Sequence, residues 1–269
     1  MAGPRRDSRG IVDASELFSH VRFRRREPAE PLRRYLEHYW LIDWELPEPY
    51  ATHVVPHPSV NLVFQRYDGT PGFGEVAGIG LGLFTKKLEG TGRVCGVQFR
   101  PGGFRPFVPD RPVSDWTGRR VPLAEALRTP DGGSSDVSRV LDPEKEDARV
   151  AALDAFLLAL APDADPQADL AMALVQRIRT DRTVRRVSDF ARAEGLSVRT
   201  LQRLFASYVG VSPKWVILRY RIHEALERAA IEADIDWAAL AAELGYSDQA
   251  HLVRDFTATV GVPPTAYGQ

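Results

Sequence analysis

The chain has 269 residues, of which 44% are apolar, and its formal net charge is −1. This length is enough for two hydrophobic cores, and the near-neutral charge excludes a protein that is basic throughout its length. Cys95 is the single cysteine, which excludes a disulfide within the chain and a thiolate zinc site. The N-terminus is polar and no apolar run is long enough to span a membrane, so we expect a cytoplasmic protein with no membrane segment.

The first 46 residues predict an arm, a helix and a strand. Residues 1–30 are charged and carry few apolar side chains, so we expect a partly ordered arm. Residues 31–39 place apolar side chains at helical spacing, which predicts a short helix. Residues 40–46 then alternate between apolar and polar, so Trp40 and Trp44 should share one face of a strand.

Short apolar runs broken by glycine and proline continue to about residue 107, which favours a small β-barrel or sandwich. Within such a fold, aromatic side chains are candidates to line an apolar pocket, and polar ones are candidates to orient a small-molecule ligand. The candidate ligand-binding residues are Trp40, Trp44, His57, Asn61, Phe99 and Arg100, with Arg105 as a further polar candidate. The alternative is that the tryptophans belong to an ordinary core and that the arginines close turns.

The same half of the chain carries few catalytic or metal-binding patterns. His53 and His57 are four residues apart, but Pro56 and Pro58 disfavour the helix that would place both imidazoles on one face. Residues 60–140 contain no histidine, and neither a nucleophile elbow nor a phosphate-binding glycine motif occurs. We therefore expect no enzyme activity, no metal and no cofactor.

Residues 127–166 predict a loop, a helix and a linker. The Gly- and Ser-rich stretch at 127–139 predicts a flexible loop. Residues 143–160 predict a helix whose first turns are acidic, as the helix dipole prefers, and whose second half, from Val150 to Leu160, is apolar nearly all round. We hypothesise that one face of this helix packs on the N-terminal domain and the other forms a homodimer; the alternative is burial between two domains. Residues 162–166 predict an interdomain linker.

A helix, a glycine-containing turn and a second helix follow near residue 195. Gly195 can adopt the left-handed conformation that ends a helix, and Ser197 stands where a helix N-cap is expected. An apolar stripe then faces a core, while the opposite face carries Arg199, Gln202 and Arg203. This is a helix-turn-helix pattern, and arginine and glutamine are side chains that read guanine and adenine in a major groove.

The pattern returns 50 residues later, in a second unit that runs from about Asp236 to Phe256. Gly245 lines up with Gly195 and Ser247 with Ser197, so two copies share one plan. Between the two units, Ser212 and Pro213 begin a further helix that is long enough to hold the units at a fixed separation.

The block from about residue 168 to residue 269 resembles the DNA-binding domain of the AraC/XylS family of bacterial transcription regulators. The resemblance rests on the paired units, on the cores Leu201-Gln202-Arg203-x-Phe205 and His251-Leu252-x-Arg254-x-Phe256, and on the Gly-Val-x-Pro tails. It implies an α+β multidomain fold, with a β-rich, cupin-like N-terminal barrel that binds an effector and an all-α C-terminal domain in which a helix joins two helix-turn-helix units. The expected division is 1–141 for the sensor, 142–167 for helix and linker, and 168–269 for the DNA-binding domain.

The resemblance implies double-stranded DNA as a partner. The residues expected at base edges are Arg199, Gln202, Arg203, Gln249 and Arg254. The residues expected at phosphates are Arg185, Arg186, Ser197, Lys214, Arg219, Ser247 and His251.

Charge is divided unequally between the two units. Nine basic and two acidic side chains lie in residues 182–221, against two basic and eight acidic in residues 222–269. Because phosphate contacts supply most sequence-independent affinity, we hypothesise that the first unit anchors the domain and that the second contributes little or contacts a partner such as RNA polymerase. Two alternatives stay open: a non-catalytic interaction protein with weak DNA affinity, and a cupin-type enzyme fused to a DNA-binding domain.

Overall fold

A computed structural model describes residues 10–127, 133–160, 162–229, 232 and 235–267. The N-terminal half is rich in strands and the C-terminal half is helical, which confirms the predicted α+β division, while the cupin-like form of the N-terminal half stays a prediction. The first half contains β1 (Ile11–Val12), α1 (Ala14–His20), β2 (Arg22–Arg26), β3 (Leu36–Val54), β4 (Asn61–Tyr67), β5 (Phe73–Ala77), β6 (Phe84–Phe99), β7 (Arg120–Pro122), α2 (Leu123–Ala126), α3 (Ser134–Leu141) and α4 (Glu146–Ala159). The second half contains α5 (Pro166–Thr180), α6 (Val187–Ala193), α7 (Val198–Leu204), a π-helical turn (Phe205–Val209), α8 (Pro213–Ala229), α9 (Trp237–Glu243) and α10 (Gln249–Val260).

The strands form one antiparallel sheet of seven strands, in the order β1-β3-β6-β4-β5-β7, with β2 also paired to β3. Side chains alternate between the two faces of the sheet. Leu41 and Phe64 point to the main hydrophobic core, which the helices cover. Trp40 and Trp44 point to the other face, where the sheet wraps around a cavity lined from all seven strands. The alternation predicted for residues 40–46 is confirmed.

Two predictions near the N-terminus are wrong. Residues 1–9 of the predicted arm lie outside the described residues, and in place of an arm, residues 10–26 fold onto the sheet, where Leu17 is 2% exposed and β2 pairs with β3 along its whole length. The charged residues of β2 misled the prediction because arginines such as Arg24 are satisfied by carboxylates of other elements. In place of a helix at residues 31–39, a short 3-10 turn precedes β3, which begins at Leu36 because pairing with β6 outweighs local spacing.

The segment that precedes the linker is more helical than predicted. Residues 128–132 of the predicted loop lie outside the described residues, and α3 begins at Ser134 with Val137 and Val140 buried. The predicted helix at 143–160 is present as α4. Most of its apolar side chains are buried within the same chain, and Leu158 is 43% exposed.

The two halves of the molecule pack against each other through continuous cores. One hydrophobic cluster joins Ile79 and Trp116 of the N-terminal half to Phe205 and Ile217 of the C-terminal half. A second cluster joins Val55 and its neighbours to the helices of the second unit. Apolar burial of this kind stabilises a defined orientation of two domains.

Candidate nucleic-acid interface and ligand cavity

The first unit, α6 and α7, has the geometry of a helix-turn-helix. Gly195 connects the helices with φ of 68°, a conformation that costs an L-residue roughly 1–2 kcal/mol. The Ser197 hydroxyl accepts a hydrogen bond from the Thr200 amide at 3.0 Å and so caps α7, as its sequence position predicts. Leu201 and Leu204 are buried beneath α7. The turn and the cap therefore fix where the second helix starts and which face it buries.

The opposite face of α7 presents the residues predicted for base readout. Arg199, Gln202 and Arg203 are exposed, and their spacing places them on one side of the helix. Within the described residues, no ion pair engages either arginine. Three side chains suited to base edges thus stand together on a free surface.

The second unit, α9 and α10, repeats this plan with one displacement. Gly245 turns with φ of 76°, but Asp248 caps α10 in place of Ser247, by accepting a hydrogen bond from the His251 amide at 2.7 Å. Ser247 instead donates its hydroxyl hydrogen bond to Asp248 at 3.1 Å. The second copy has one more residue between Ser247 and Phe256 than the first has between Ser197 and Phe205, and this insertion accounts for the shift. Ser247 is therefore not a cap equivalent to Ser197.

The α10 surface is less positive than the α7 surface. Gln249 and Arg254 are exposed, as predicted, and His251 is half-exposed. His251 lies 3.8 Å from the carboxylate of Asp255. The pKa of Asp248 is lowered, first by the backbone hydrogen bond from His251, then by Ser247, and also by the charge of Arg254. Arg254 thus shares the α10 surface with an ionised carboxylate, although the described residues show no ion pair between the two.

The residues predicted at phosphates separate into exposed and engaged side chains. Arg186 and Lys214 are exposed. Arg185 is exposed but donates to the Glu243 carbonyl at 3.4 Å, and its side chain packs beside Gly245. Ser197 is committed to the α7 cap, although it stays at the surface.

Arg219 is a correction to the predicted phosphate set. Its side chain is 5% exposed, donates to the Leu81 carbonyl at 3.0 Å and lies 4.4 Å from the centre of the Trp215 ring. Burial lowers its pKa to about 10. Arg219 therefore faces the N-terminal half and not a DNA surface. Its place on α8 did not reveal this, because the burial depends on a segment 138 residues away in sequence.

The sheet encloses a cavity of about 840 Å³, a size within the roughly 300–1,000 Å³ range of small-molecule sites. Four of the six predicted ligand-binding residues line it: Trp40, Trp44, His57 and Asn61. The Trp40 indole donates to the Asn61 side-chain oxygen at 3.4 Å. The structure therefore brings these aromatic and polar candidates together around one space.

Phe99 and Arg100 are corrections to the ligand set. Phe99 is 1% exposed on the opposite face of the sheet, where its ring packs edge-on against Phe104 and Phe107. Arg100 donates to the Leu36 carbonyl at 3.2 Å at the end of β6. Arg105, the further polar candidate, donates to the Ser207 carbonyl in the C-terminal half at 3.2 Å.

Several lining residues were missed from the sequence. They come from β2, β3, β4 and β6 and share inward positions in the alternation: Phe23, Arg25, His38, Val63, Gln65, Tyr67, Lys86 and Gln98. Extending the alternation of Trp40 and Trp44 backwards would have found His38. The residues of β2 were missed because the sequence of that segment predicted an arm and not a strand.

One wall of the cavity is also the contact surface of α8. His57 lines the cavity, and its ring stacks on that of His223 of α8 with centroids 4.0 Å apart. The His223 ring also lies 3.3 Å from the Pro56 carbonyl. Leu81, another lining residue, accepts the hydrogen bond from Arg219 of the same helix.

A separate contact reaches the end of the first unit. The Thr117 hydroxyl donates to the Gly210 carbonyl at 2.8 Å, just after the π-helical turn. Arg105 stacks over the Tyr208 ring at 4.8 Å. The N-terminal half therefore holds both the end of α7 and the length of α8.

Among the described residues, no cluster of three or more histidine, cysteine, aspartate or glutamate side chains is arranged to hold a metal ion. Over the same part of the chain, no helix has the length and hydropathy needed to cross a membrane.

Two tandem helix-turn-helix units joined by α8 define a DNA-binding class of protein, and comparison with family models gives its type. Residues 190–269, from within α6 onward, match a helix-turn-helix domain. Residues 24–122, from within β2 to the end of β7, match a domain of unknown function (DUF6597). The C-terminal domain is a helix-turn-helix domain of the AraC type, which supports a role in DNA binding and transcription regulation. No curated protein matches the chain.

Solved structures give more distant likenesses. The C-terminal domain of the response regulator yesN from Fusobacterium nucleatum is 19% identical, covers 37% of this chain and 99% of its own, and has a TM-score of 0.35. ToxT from Vibrio cholerae is 10% identical over 85% of this chain and 96% of its own, with a TM-score of 0.42. A fatty-acid-bound form of ToxT is 13% identical over 92% of this chain and 91% of its own, with a TM-score of 0.39. The AraC-type assignment rests on the family model and on the paired units.

Proposed function

We propose that this protein is a sequence-specific transcription regulator whose DNA binding is controlled by a small molecule in the cavity of the N-terminal half. The observation that carries this proposal is the shared wall, in which His57 and Leu81 line the cavity and also contact α8. A ligand that changes this wall acts directly on the helix that joins the two units.

α8 is the element through which binding is transmitted. Its N-terminal end follows the first unit, and its buried residues Ile222 and Leu226 pack in the core of the second unit. A shift of α8 against the cavity wall therefore changes the separation of α7 and α10. Because two recognition helices must meet grooves at a fixed spacing, such a shift alters DNA affinity.

At the DNA, the first unit supplies the base contacts through Arg199, Gln202 and Arg203. Arg186 and Lys214, which are exposed, contact phosphates beside it. The second unit contributes less, since residues 222–269 carry two basic and eight acidic side chains. The acidic surface around α10 is accordingly available to a protein partner such as RNA polymerase. We expect a regulator of this kind to be located in the cytoplasm.

A footprint of the full-length protein on the DNA upstream of its own gene tests the proposal. We expect protection of about two helical turns, the span of two successive recognition helices. The double variant Arg203→Ala with Gln202→Ala should lose the footprint, whereas Arg192→Ala, an exposed arginine of α6 that pairs with Asp189, should keep it. An identical footprint from the double variant would overturn base readout by α7. Absence of a wild-type footprint, with and without cell extract as a source of effector, would favour the interaction-protein alternative.

A further inference from the structure

The cavity has a polar end that the pairing of the strands builds. His38 of β3 and Asn61 of β4 each stand opposite Gln98 of β6. The three side chains therefore form a row across adjacent strands, and all line the cavity. Arg25 of β2 is opposite Trp40, close to this row, and lines the cavity as well. We call His38, Asn61, Gln98 and Arg25 the polar row.

The polar row also faces the C-terminal half. Arg25, His38 and Gln98 line a small adjoining recess, whose other wall includes Arg179 of α5 and Tyr220 of α8. A polar group held at the row therefore lies next to a recess that the DNA-binding domain helps to form.

The rest of the cavity is mainly apolar and aromatic. Trp40, Trp44, Phe23 and Phe84 line it together with aliphatic side chains of β3, β4 and β6. Aromatic faces and edges favour planar apolar groups. A ligand that fills this space has an apolar body, because leaving polar groups there without partners costs free energy.

The charged lining is predominantly positive. Four cationic side chains line the cavity: Arg25, Lys86, Arg119 and Arg120. Glu75 supplies the one carboxylate among the lining residues that the structure describes. Glu75 of β5 pairs with Arg120 of β7 at 2.6 Å, so one of the cations is already neutralised by the carboxylate. Lys86 lies 4.3 Å from the centre of the Tyr67 ring. The field inside the cavity therefore favours an anion over a cation.

We propose that the cavity binds an amphipathic organic acid, with its carboxylate at the polar row and its apolar body along Trp40 and Trp44. This inference rests on the proposed function, since it names the chemical class of the effector. Arg25 supplies the charge-assisted hydrogen bond, and Asn61 and Gln98 supply amide donors. A sugar does not fit the apolar wall, and a cationic ligand does not fit the charge of the lining.

Three matched probes test the class by calorimetric titration of the full chain: 4-butylbenzoate, 4-butylbenzyl alcohol and 4-butylbenzylamine. We expect the carboxylate to bind about 10- to 100-fold more tightly than the alcohol, which is the range for one hydrogen bond to a charged group. The amine should bind most weakly. Equal binding of acid and alcohol, tightest binding of the amine, or no binding of any probe would overturn the inference.

Two variants test the placement of the carboxylate. Arg25→Gln should remove the preference for acid over alcohol while alcohol affinity stays within about twofold, which also reports an intact cavity. Arg120→Gln alters a cation of β7 that already pairs with Glu75, so it should keep the preference. Loss of the preference in Arg120→Gln but not in Arg25→Gln would overturn the assignment to the polar row. The wild-type footprint on DNA, measured without probe, separates the two proposals: a footprint without acid binding overturns only the ligand class.

Discussion

Asp43, a half-buried carboxylate of β3, joins the sheet to α4. It accepts hydrogen bonds from Arg93 at 2.8 Å and from Arg149 at 2.9 Å, and it also pairs with Arg24. Arg149 is 3% exposed. Burial raises the pKa of Asp43, but hydrogen bonds from the three arginines outweigh it and the pKa is lowered.

Removing this carboxylate should destabilise the fold. We expect Asp43→Asn to lower the free energy of unfolding by about 3–5 kcal/mol at neutral pH, since it leaves the Arg149 guanidinium buried without its acid. Asp169→Asn is the matched control, because Asp169 pairs with Arg34 at the surface, and it should cost at most about 1 kcal/mol. Urea denaturation followed by tryptophan fluorescence measures both. Equal costs would show that the Asp43 cluster is not structural.

The same cluster predicts the direction of a pH dependence. A carboxylate whose folded pKa lies below its unfolded value stabilises the protein above the unfolded pKa, about 3.9 for aspartate. This contribution is lost as pH falls through the lowered folded pKa. The difference in stability between wild type and Asp43→Asn should therefore shrink as denaturation is repeated below about pH 4, and a constant difference would contradict the assignment.

Two cations near the first unit should behave differently toward DNA. Lys214→Ala should reduce the slope of log affinity against log salt by about 1, as expected for one lost phosphate contact. Arg219→Met should leave the slope unchanged, because this side chain is buried against Leu81 and Trp215. Titrations of the footprinted sequence at several salt concentrations measure both slopes. A reduced slope for Arg219→Met together with an unchanged slope for Lys214→Ala would contradict the assignment of Lys214, and not Arg219, to a phosphate.

The sequence correctly predicted those features of helices and strands that depend on residues close by in the chain. The Ser197 cap, the turn at Gly195 and the alternation of Trp40 and Trp44 are all set within a few residues. What failed depends on distant contacts. Phe99 has the same alternating context as Trp44 but faces the opposite side of the sheet, and the phase of an isolated strand does not say which face encloses a cavity.

The same limit applies to contacts between the two halves. His57 was predicted as a polar ligand contact, but its stacking on His223 joins residues 166 positions apart. No local pattern announces such a pair. Arg219, likewise, lies in a sequence that is typical of an exposed basic helix, but its side chain is buried.

The structure of α4 leaves few large apolar side chains exposed for the predicted homodimer contact. Leu153 and Leu157 are fully buried in the same chain, so the exposed apolar side chain that α4 offers to a second subunit is Leu158. If the dimer forms through residues 150–160, Leu158→Arg should convert it to monomer in sedimentation velocity. Leu170→Arg, which alters an exposed leucine of α5, is the control and should leave the dimer intact. A wild-type monomer at all concentrations would rule out this dimer.

At the scale of the whole molecule, the two halves behave as parts of one packed body. Their cores are continuous through Phe205 and through Val55, and the Thr117 hydrogen bond reaches Gly210 at the end of the first unit. Because the cavity wall and the contact surface of α8 share residues, the proposed ligand would couple its binding to the position of the recognition helices. Linkage of this kind is reciprocal, so DNA that favours one arrangement should change ligand affinity by the same factor.

We propose that the first unit supplies the main base contacts to DNA. Equilibrium binding of the footprinted sequence by wild type, Arg203→Ala and Arg254→Ala tests it most directly. We expect Arg203→Ala to lose about 1–3 kcal/mol of binding free energy and to relax specificity at one base pair. Arg254→Ala, in the more acidic second unit, should lose clearly less. Equal losses from the two variants would contradict the claim and assign base readout to both units.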